Sequence, residues 1–349
     1  MTIYVIHENP DWYGPFADAF DAEGVPHEQW LLDEGILDLD AAPPPGVFWS
    51  RMSASSHTRG HLLAKDHARA VLCWLEAHGR RVVNGRRALE LEMSKADQLT
   101  ALRASGFDVP RTIAVAGVSE LAAAASKLPV PFISKHNQGG KGLGVRRFDS
   151  HEEFAAYAAS PEYLAPVDGI TLLQEYVQAA RPFITRVEVA GGEFLYAITA
   201  DTARGGFELC PADACATDAG AADQGAADQA SRGPAGPGLF ALREGFDHPI
   251  IGRYLDFASR NGIEIAGFEF IETADGRLVT YDVNVSTNYS PQIEAAAPRS
   301  GPRAVARFLA RLLASEEASQ TVPARGDTAS LWGEPPDPHG PNSPRRSTH

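Results

Sequence analysis

The sequence contains little cysteine and no long apolar run. Three cysteines, Cys73, Cys210 and Cys215, are too few for a disulfide framework and indicate a reducing cytoplasm. Cys210 and Cys215 lack Cys or His partners at a suitable spacing, so we do not expect a zinc site. No apolar run reaches the roughly 18 residues that span a membrane, and the stretch Met1–Tyr4 is not typical of a signal peptide. We therefore expect a cytoplasmic protein without a membrane partner.

Positive charge is scarce as well. The chain has 31 Lys and Arg residues against 45 Asp and Glu residues, which gives a formal net charge of −14. This balance argues against general binding of nucleic acids, so an anionic ligand would need a local basic pocket. With 349 residues, 44% of them hydrophobic, the chain can form a soluble globular protein of two or three lobes.

Two common phosphate-binding motifs are also missing. The stretch Ser134–Val145 is rich in glycine and lysine, but it contains neither GK[ST] nor G-x-G-x-x-G. Glycine allows the backbone to approach a ligand, free N–H groups can surround an anion, and lysine adds a point charge. Apolar runs on both sides predict two flanking strands. A flexible hairpin loop between these strands, without any ligand, would explain the same composition. The residues concerned are Gly139, Gly140, Gly142, Gly144, Lys135 and Lys141.

Residues 1–93 alternate between strand and helix patterns and predict a small α/β domain. The polar segment Ser50–Arg59 follows an apolar run at Val47–Trp49, and the ends of such strands are where open α/β sheets bind ligands. A capped start of the helix Ala64–His78 explains the same polar residues. The candidates for substrate contact in this segment are Arg51, Ser53 and His57.

Residues 94–316 predict further strands and helices, beginning with a helix capped by Ser94 that carries Lys95 in its first turn. Two β-hairpins turn through glycine, at Ala190–Gly192 and at Asp275–Gly276. Residues 217–238 predict a flexible insertion, and residues 317–349 predict a disordered tail after a helix at Arg303–Leu313.

The second hairpin carries oxygen-bearing side chains on both strands. Asp282 and Asn284 are two residues apart and so share one face of a strand, and Glu269 can lie opposite them. Oxygen ligands at this density suit Mg²⁺ held together with nucleotide phosphates. An exposed sheet face would show the same alternation, so the hairpin alone leaves both interpretations open.

The order of these features resembles the ATP-grasp superfamily, and within it the RimK-like amino-acid and peptide ligases. A lysine precedes a glycine-rich hairpin loop, a strand ends in Gln174–Val177, and a late hairpin carries Glu269 and Asp282-x-Asn284. The resemblance covers Ser94–Leu313. It implies a two-lobed ATP-grasp fold over residues 94–316, preceded by an α/β pre-ATP-grasp domain over residues 1–93, and thus a mixed α/β and α+β chain.

The resemblance also implies roles for individual residues. Lys95 and Lys135 would bind ATP, and the loop Gly139–Gly144 would close over the phosphates with Lys141 reaching in. Glu175, Tyr176 and Val177 would form the hinge that binds adenine, through the backbone of the last two. Arg186 would lie near the γ-phosphate. Two Mg²⁺ ions, for which Mn²⁺ can substitute, would be held by Glu269, Asp282 and Asn284.

Two departures from the family pattern affect this assignment. The family usually has Glu at the position of Asp282, so a shorter carboxylate alters the reach towards a metal. Family members also commonly carry Asn in the segment where this chain has Phe207–Pro211, which weakens the assignment of Arg204 as a substrate arginine. Asn288, after the metal-binding strand, is a further candidate for substrate contact.

The implied reaction joins a carboxylate to an amine. ATP would phosphorylate the carboxylate to an acyl phosphate, and the amine would displace phosphate to form an amide or peptide bond. The substrates would be amino acids or short peptides, and association into a homo-oligomer is common among relatives. Two alternatives stay open: a grasp-type kinase that stops at a phosphorylated product, and a nucleotide-binding module without catalysis.

Overall fold

The computed structural model of the chain describes residues 1–140, 142, 144–205 and 238–321, without the side chains of residues 204, 205, 320 and 321. Lys141, nearly all of the predicted 217–238 insertion and residues 322–349 therefore lie outside the described residues. No helix in the described part of the chain is long and apolar enough to cross a membrane.

The first sheet is parallel, with the strand order β2-β1-β3-β4. Side chains of β1 alternate between its two faces: Ile3 and Val5 pack with the first helix, and Ile6 packs with the second. The edge strand β2 was not predicted, because its sequence HEQWL is polar and largely exposed. The strands are β1 (Thr2–His7), β2 (His27–Leu31), β3 (Gly46–Ser50) and β4 (Arg81–Val83), and the helices are α1 (Gly14–Ala22) and α2 (Ala64–Ala77).

Two further helices, α3 (Arg86–Met93) and α4 (Lys95–Ala104), lead from the first sheet to the second. The predicted cap of α4 is confirmed, since Ser94 Oγ accepts a hydrogen bond from the Asp97 N–H at 3.2 Å.

The second sheet is antiparallel, with the order β5-β8-β6-β7. Its strands are β5 (Thr112–Ala116), β6 (Phe132–His136), β7 (Arg146–Phe148) and β8 (Ile170–Glu175), and its helices are α5 (Leu121–Ala125) and α6 (His151–Ala158). Phe132, Phe148 and Phe154 form the centre of its core. The glycine-rich loop joins β6 to β7, so the prediction that it connects two paired strands is confirmed.

The third sheet is also antiparallel, with the order β11-β10-β9-β12-β13. Both predicted hairpins, β9–β10 and β12–β13, are confirmed. The strands are β9 (Phe183–Ala190), β10 (Glu193–Asp201), β11 (Phe240–Leu242), β12 (Ile265–Glu272) and β13 (Leu278–Asn284). The remaining helices are α7 (Thr202–Gly205), α8 (Ile250–Arg260), α9 (Pro291–Glu294) and α10 (Gly301–Thr321).

Helix α10 joins the first and third sheets through one hydrophobic core. Val305 and Leu309 of the helix belong to the same buried cluster as Trp49 of β3 and Ile198 of β10. The helix continues into the stretch predicted as a disordered tail, and the amino group of Met1 donates to Glu317 Oε1 at 2.8 Å. Because the first sheet shares this core, the division of the chain into domains at residue 93 stays a prediction.

Asn84 is a second link between the first and third sheets. It is 1% exposed and has a φ of 52°, a left-handed conformation that asparagine tolerates better than most residues. Its Nδ2 donates to Ile265 O at 2.8 Å and Val285 O at 3.1 Å, and its Oδ1 accepts from the Glu264 N–H at 2.8 Å. One side chain thus satisfies the backbone at the start of β12 and just after β13.

We predict that Asn84→Ala lowers the free energy of unfolding by about 3 kcal/mol, because it leaves several buried backbone groups unsatisfied and keeps the left-handed φ. Urea denaturation checks this value. Asn261→Ala is the control, since Asn261 is only half-buried and its amide nitrogen caps the end of α8; its loss should stay near 1 kcal/mol. Equal losses in the two variants would contradict the role given to Asn84.

Candidate active site

A cleft of about 740 Å³ lies between the second and third sheets. Its walls come from β6 and β8 on one side and from β9, β12 and β13 on the other, with the start of α4 at one end. Most residues singled out in the sequence line this cleft. They are Lys95, Lys135, Gly139, Gly140, Gly142, Glu175, Tyr176, Val177, Glu269, Asp282 and Asn284.

The acidic hairpin has the predicted register, because Glu269 of β12 pairs with Asp282 of β13. Asn284 Nδ2 donates to Glu269 Oε1 at 3.2 Å, and Tyr281 Oη donates to Glu269 Oε2 at 2.7 Å. The hairpin therefore presents two carboxylates and one amide to the same cleft.

Lysines compensate part of this negative charge. Lys95 Nζ lies 2.5 Å from Asp282 Oδ1. Burial alone would raise the pKa of Asp282, but the charges of Lys95 and Lys135 outweigh it and lower that pKa. Burial alone would lower the pKa of Lys95, and Asp282 reverses the shift and raises it. Both members of the pair are therefore charged at neutral pH.

Lys135 is a less favourably placed cation. It is 6% exposed on β6, and burial, together with the charge of Lys95, lowers its pKa to about 7. Near neutral pH the neutral amine and the charged ammonium form of Lys135 are therefore both populated. An anion in the cleft would favour the charged form, which is a property expected of a phosphate-binding lysine.

The glycine-rich loop lies at the edge of the cleft and contacts the loop after β3 and the start of α2. Gly142 has a φ of 73°, which favours glycine. A Cβ on Gly140 would lie 3.5 Å from Ser55 Cβ, and Lys65 Nζ donates to Gln138 Oε1 at 3.0 Å. Gly144 is not a lining residue: it packs against the ring of His136, where a Cβ would lie 3.2 Å from Nε2.

The predicted hinge lies where β8 ends. Glu175 Oε1 accepts from the Arg111 N–H at 2.8 Å, so this oxygen holds the start of the neighbouring strand β5. The Tyr176 N–H donates to Pro131 O at 3.3 Å, so this backbone N–H is already paired within the chain. The guanidinium group of Arg147 lies 4.5 Å from the centre of the Tyr176 ring and also lines the cleft.

Arg186 lies behind Glu269 and does not line the cleft. Its Nη1 donates to Glu269 Oε1 at 2.9 Å and its Nε donates to Glu188 Oε1 at 2.5 Å. Its Nη2 donates to Thr287 Oγ1 at 2.6 Å, and that hydroxyl donates to Glu188 Oε2 at 2.9 Å. Arg186 therefore holds Glu269 in place, and in this arrangement it can act on a phosphate only through that carboxylate.

Sequence reasoning missed Glu188, Tyr281 and Thr287. Glu188 had a usable signal, since it lies two residues after Arg186 on a strand and so shares its face. Tyr281 lies next to Asp282 in the sequence, so strict alternation along the strand predicts that the two side chains point to opposite faces. The pairing of β12 with β13 shifts by one residue after Glu269, and this irregularity has no signal in the sequence. Thr287 has no local signal, because its contact with Arg186 spans 101 residues of sequence.

Four of the predicted substrate residues, Arg51, Ser53, His57 and Asn288, lie outside the cleft lining. Arg51 and Asn288 meet each other, with Arg51 Nη2 donating to Asn288 Oδ1 at 2.8 Å. Arg51 is 2% exposed, its guanidinium lies 4.1 Å from the centre of the Phe16 ring, and burial lowers its pKa to about 10. The structure thus uses Arg51 to hold the loop that follows β13.

Ser53 and His57 lie in the loop after β3. Ser53 Oγ is 2.9 Å from Ser55 Oγ, and His57 Nδ1 is 3.1 Å from Ala54 O. This loop is the one that touches Gly140, so both residues are close to the glycine-rich loop. The side chain of Arg204 lies outside the described residues.

The donor set of the cleft fits a hard cation only in part. Among the described residues, no group of three or more His, Cys, Asp or Glu side chains is placed to hold a metal ion. Glu269 and Asp282 supply two carboxylates and Asn284 an amide oxygen, whereas Mg²⁺ takes six oxygen ligands. The residues therefore fit Mg²⁺ that arrives with phosphate oxygens, and fit less well a metal held by protein alone.

We predict that Gly267→Ala disrupts the Arg186 network. An added Cβ would lie 2.5 Å from Arg186 Nε and Nη2, so the guanidinium group must leave Glu188 or Glu269. We expect the free energy of unfolding to fall by about 3 kcal/mol in urea denaturation, because a buried ion pair is broken.

Gly252→Ala is the matched control for this variant. Gly252 lies in α8, and its added Cβ would meet no atom within 4 Å. It should stabilise the chain by up to about 1 kcal/mol, since alanine favours helix. A Gly267→Ala variant as stable as Gly252→Ala would contradict the close packing around Arg186.

Comparison with protein-family models and with curated proteins gives no match. Among solved structures, the RimK-domain ATP-grasp protein of Sphaerobacter thermophilus is similar over 89% of this chain and 100% of its own, at 17% identity and a TM-score of 0.57. D-cycloserine synthetase DcsG is similar over 90% of this chain and 100% of its own, at 17% identity and a TM-score of 0.60. The ATP-grasp ligase PsnB, complexed with minimal precursor, Mg and ADP, is similar over 88% of this chain and 96% of its own, at 16% identity and a TM-score of 0.57. These likenesses confirm the predicted mixed α/β architecture: the chain has the ATP-grasp fold, as RimK-domain proteins do.

Proposed function

We propose that this chain is an ATP-dependent ligase that joins a carboxylate to an amine and releases ADP and phosphate. One observation carries the proposal: a single cleft brings together two lysines, a glycine-rich loop, a hinge and an acidic hairpin that are far apart in the sequence. Each part matches one requirement of a bound metal–nucleotide complex. The similar structures include an ATP-grasp ligase complexed with Mg and ADP and the same ligase with AMPPNP.

ATP would lie along the length of the cleft. Its adenine would contact the backbone at Tyr176 and Val177, and its phosphates would lie between Lys95, Lys135 and the loop Gly139–Gly144. The two lysines would neutralise phosphate charge, and the reaction would need no covalent nucleophile from the protein.

Glu269, Asp282 and Asn284 would hold Mg²⁺, and we infer two ions, for which Mn²⁺ can substitute. Magnesium would supply positive charge to the phosphate oxygens as charge develops on them. The residues of the chain fix the geometry: Arg186 and Tyr281 orient Glu269, and Lys95 holds Asp282. Arg186 is thus a positioning residue, and Lys141, outside the described residues, is the proposed closing residue of the loop.

The proposed reaction passes through an acyl phosphate. A carboxylate oxygen attacks the γ-phosphorus, ADP leaves, and an amine then displaces phosphate from the acyl carbon to form an amide. We infer an amino acid or a short peptide as substrate. The similar structures of PsnB and of the macrocyclase MdnC were solved with precursor peptides, which supports a peptide carboxylate.

The test is a screen for ADP release with amino acids and peptides as carboxylate and amine, with mass detection of the product. We expect ADP together with a product whose mass equals the sum of the two substrates less one water. A phosphorylated product without an amide would favour a kinase. Absence of ADP release with every pair would favour a binding module.

We predict that Glu269→Gln and Asn284→Ala each lower ADP release at least about 100-fold, since removal of a metal ligand or of its support has effects of this order. Asn284→Ala leaves the neighbouring charges unchanged, so its thermal unfolding should change little. Glu269→Gln removes the charge that pairs with buried Arg186, so its unfolding temperature should fall, and its ADP release is measured well below that temperature. Glu193→Ala is the control, because Glu193 is exposed and pairs with Arg299 outside the cleft. Full ADP release in both site variants would exclude these residues as metal ligands.

We further predict that Lys135, on β6, and Lys141, in the glycine-rich loop, act at different steps. Lys135→Ala should weaken ATP binding itself at least about tenfold, because it removes a buried cation from the phosphate site. Lys141→Ala should mainly slow turnover, with the ATP dissociation constant changed less than threefold. Isothermal titration and the ADP-release rate separate the two effects, and equal losses of affinity would refute this division.

A further inference from the structure

The position of Lys95 is fixed by its backbone, and its side chain contacts an acid of the cleft. The Lys95 N–H donates to Asn137 O at 3.2 Å, and the next N–H, of Ala96, donates to Asn137 Oδ1 at 2.8 Å. The Nζ atom lies 2.5 Å from Asp282 Oδ1. The side chain can therefore change partners by rotation, whereas its Cα stays in place.

Water has little access to this ion pair. The side chains of Lys95 and Asp282 are 13% and 18% exposed. Glu269, the second carboxylate of the hairpin, already has a cation partner in Arg186, at 2.9 Å. Both carboxylates proposed as metal ligands are thus neutralised by cations that the chain itself supplies.

A metal ion that entered alone would have to take Asp282 from Lys95. The ammonium group would then lose the carboxylate that it contacts while still shielded from water, and keep only the weaker attraction of Glu92 and Glu269. It lies at the N-terminus of α4, where the helix dipole also disfavours a cation. A metal ion that enters with a nucleotide brings phosphate oxygens, and these can accept Lys95 as Asp282 is released. Binding of the free metal therefore costs the ion pair between Lys95 and Asp282, whereas binding of the metal–nucleotide complex replaces that pair with a contact between Lys95 and phosphate.

We propose that Lys95 makes the cleft selective for the metal–nucleotide complex over the free metal. The inference rests on the proposed ATP and metal site. Lys95 occupies Asp282 until a phosphate takes its ammonium group, so it is a specificity-determining residue as well as a phosphate ligand. Because coupling between two ligands is reciprocal, the lysine also makes nucleotide binding tighter when the metal is present.

The test measures Mn²⁺ binding by the electron paramagnetic resonance signal of free Mn²⁺, in the full chain and in Lys95→Met. With Mn²⁺ alone, the variant should bind the metal about tenfold more tightly than the wild type, a factor within the usual range of coupling between sites. With AMPPNP alone, measured by calorimetry, the variant should bind about tenfold more weakly than the wild type. Loss of a merely structural lysine would not move the two affinities in opposite directions.

Matched variants locate the effect. Lys127→Met makes the same charge change at an exposed lysine beyond α5 and should leave both affinities at the wild-type values. Lys95→Gln is a second neutral variant, in case Lys95→Met folds poorly, and should reproduce its behaviour. The double variant Lys95→Met with Asp282→Asn should lose the gained Mn²⁺ affinity, because the acid that was freed is then absent.

Two outcomes separate this inference from the proposed function. If the wild type binds Mn²⁺ more tightly with AMPPNP than without it, but Lys95→Met gains no affinity for Mn²⁺ alone, only the selectivity of Lys95 is overturned. If AMPPNP does not tighten Mn²⁺ binding in the wild type, the proposed metal–nucleotide site itself is wrong.

Discussion

The cleft depends on how its buried carboxylates are neutralised. A shielded carboxylate without a partner is strongly destabilising, so Glu269 and Asp282 require cations within the fold. Arg186 comes from the neighbouring strand β9, and Lys95 comes from the start of α4. These two ion pairs connect the acidic hairpin to the centre of the third sheet and to the helix that leads into the second. The same contacts that stabilise the fold set the geometry of the proposed metal ligands.

The hydrophobic cores do not group the three sheets in the order in which they occur along the chain. The first and third sheets share one core through α10, whereas the second sheet has its own core around Phe132. The cleft lies between the second and third sheets. One wall therefore belongs to the core shared by the first and third sheets, and the other belongs to the smaller second sheet with its glycine-rich loop.

Local patterns predicted much of this architecture, because hairpins, helix caps and strand periodicity are short-range features. The register of Glu269 against Asp282 followed from alternation along two strands and the glycine turn between them. The buried position of Arg186 behind Glu269 could not be predicted in this way, because it includes a contact with Thr287, which lies far away in the sequence. Likewise, the polar edge strand β2 has no strand signal of its own and forms by pairing with β1. Sequence patterns predicted which residues face the cleft better than which residues support them.

The first sheet has a direct part in that support. Arg51 Nη2 donates to the carbonyl oxygen of Thr287 at 3.0 Å, and the hydroxyl of Thr287 contacts both Arg186 and Glu188. Among the described residues Arg51 has no ion-pair partner. Neutral oxygens and the faces of aromatic rings contact its buried charge, and the negative charge of Glu8 acts on it without direct contact. Such a cation is retained at a cost in stability. Its consequence is that the loop holding Arg186 is fixed from the first sheet, and the orientation of Glu269 therefore depends on residues that never reach the cleft.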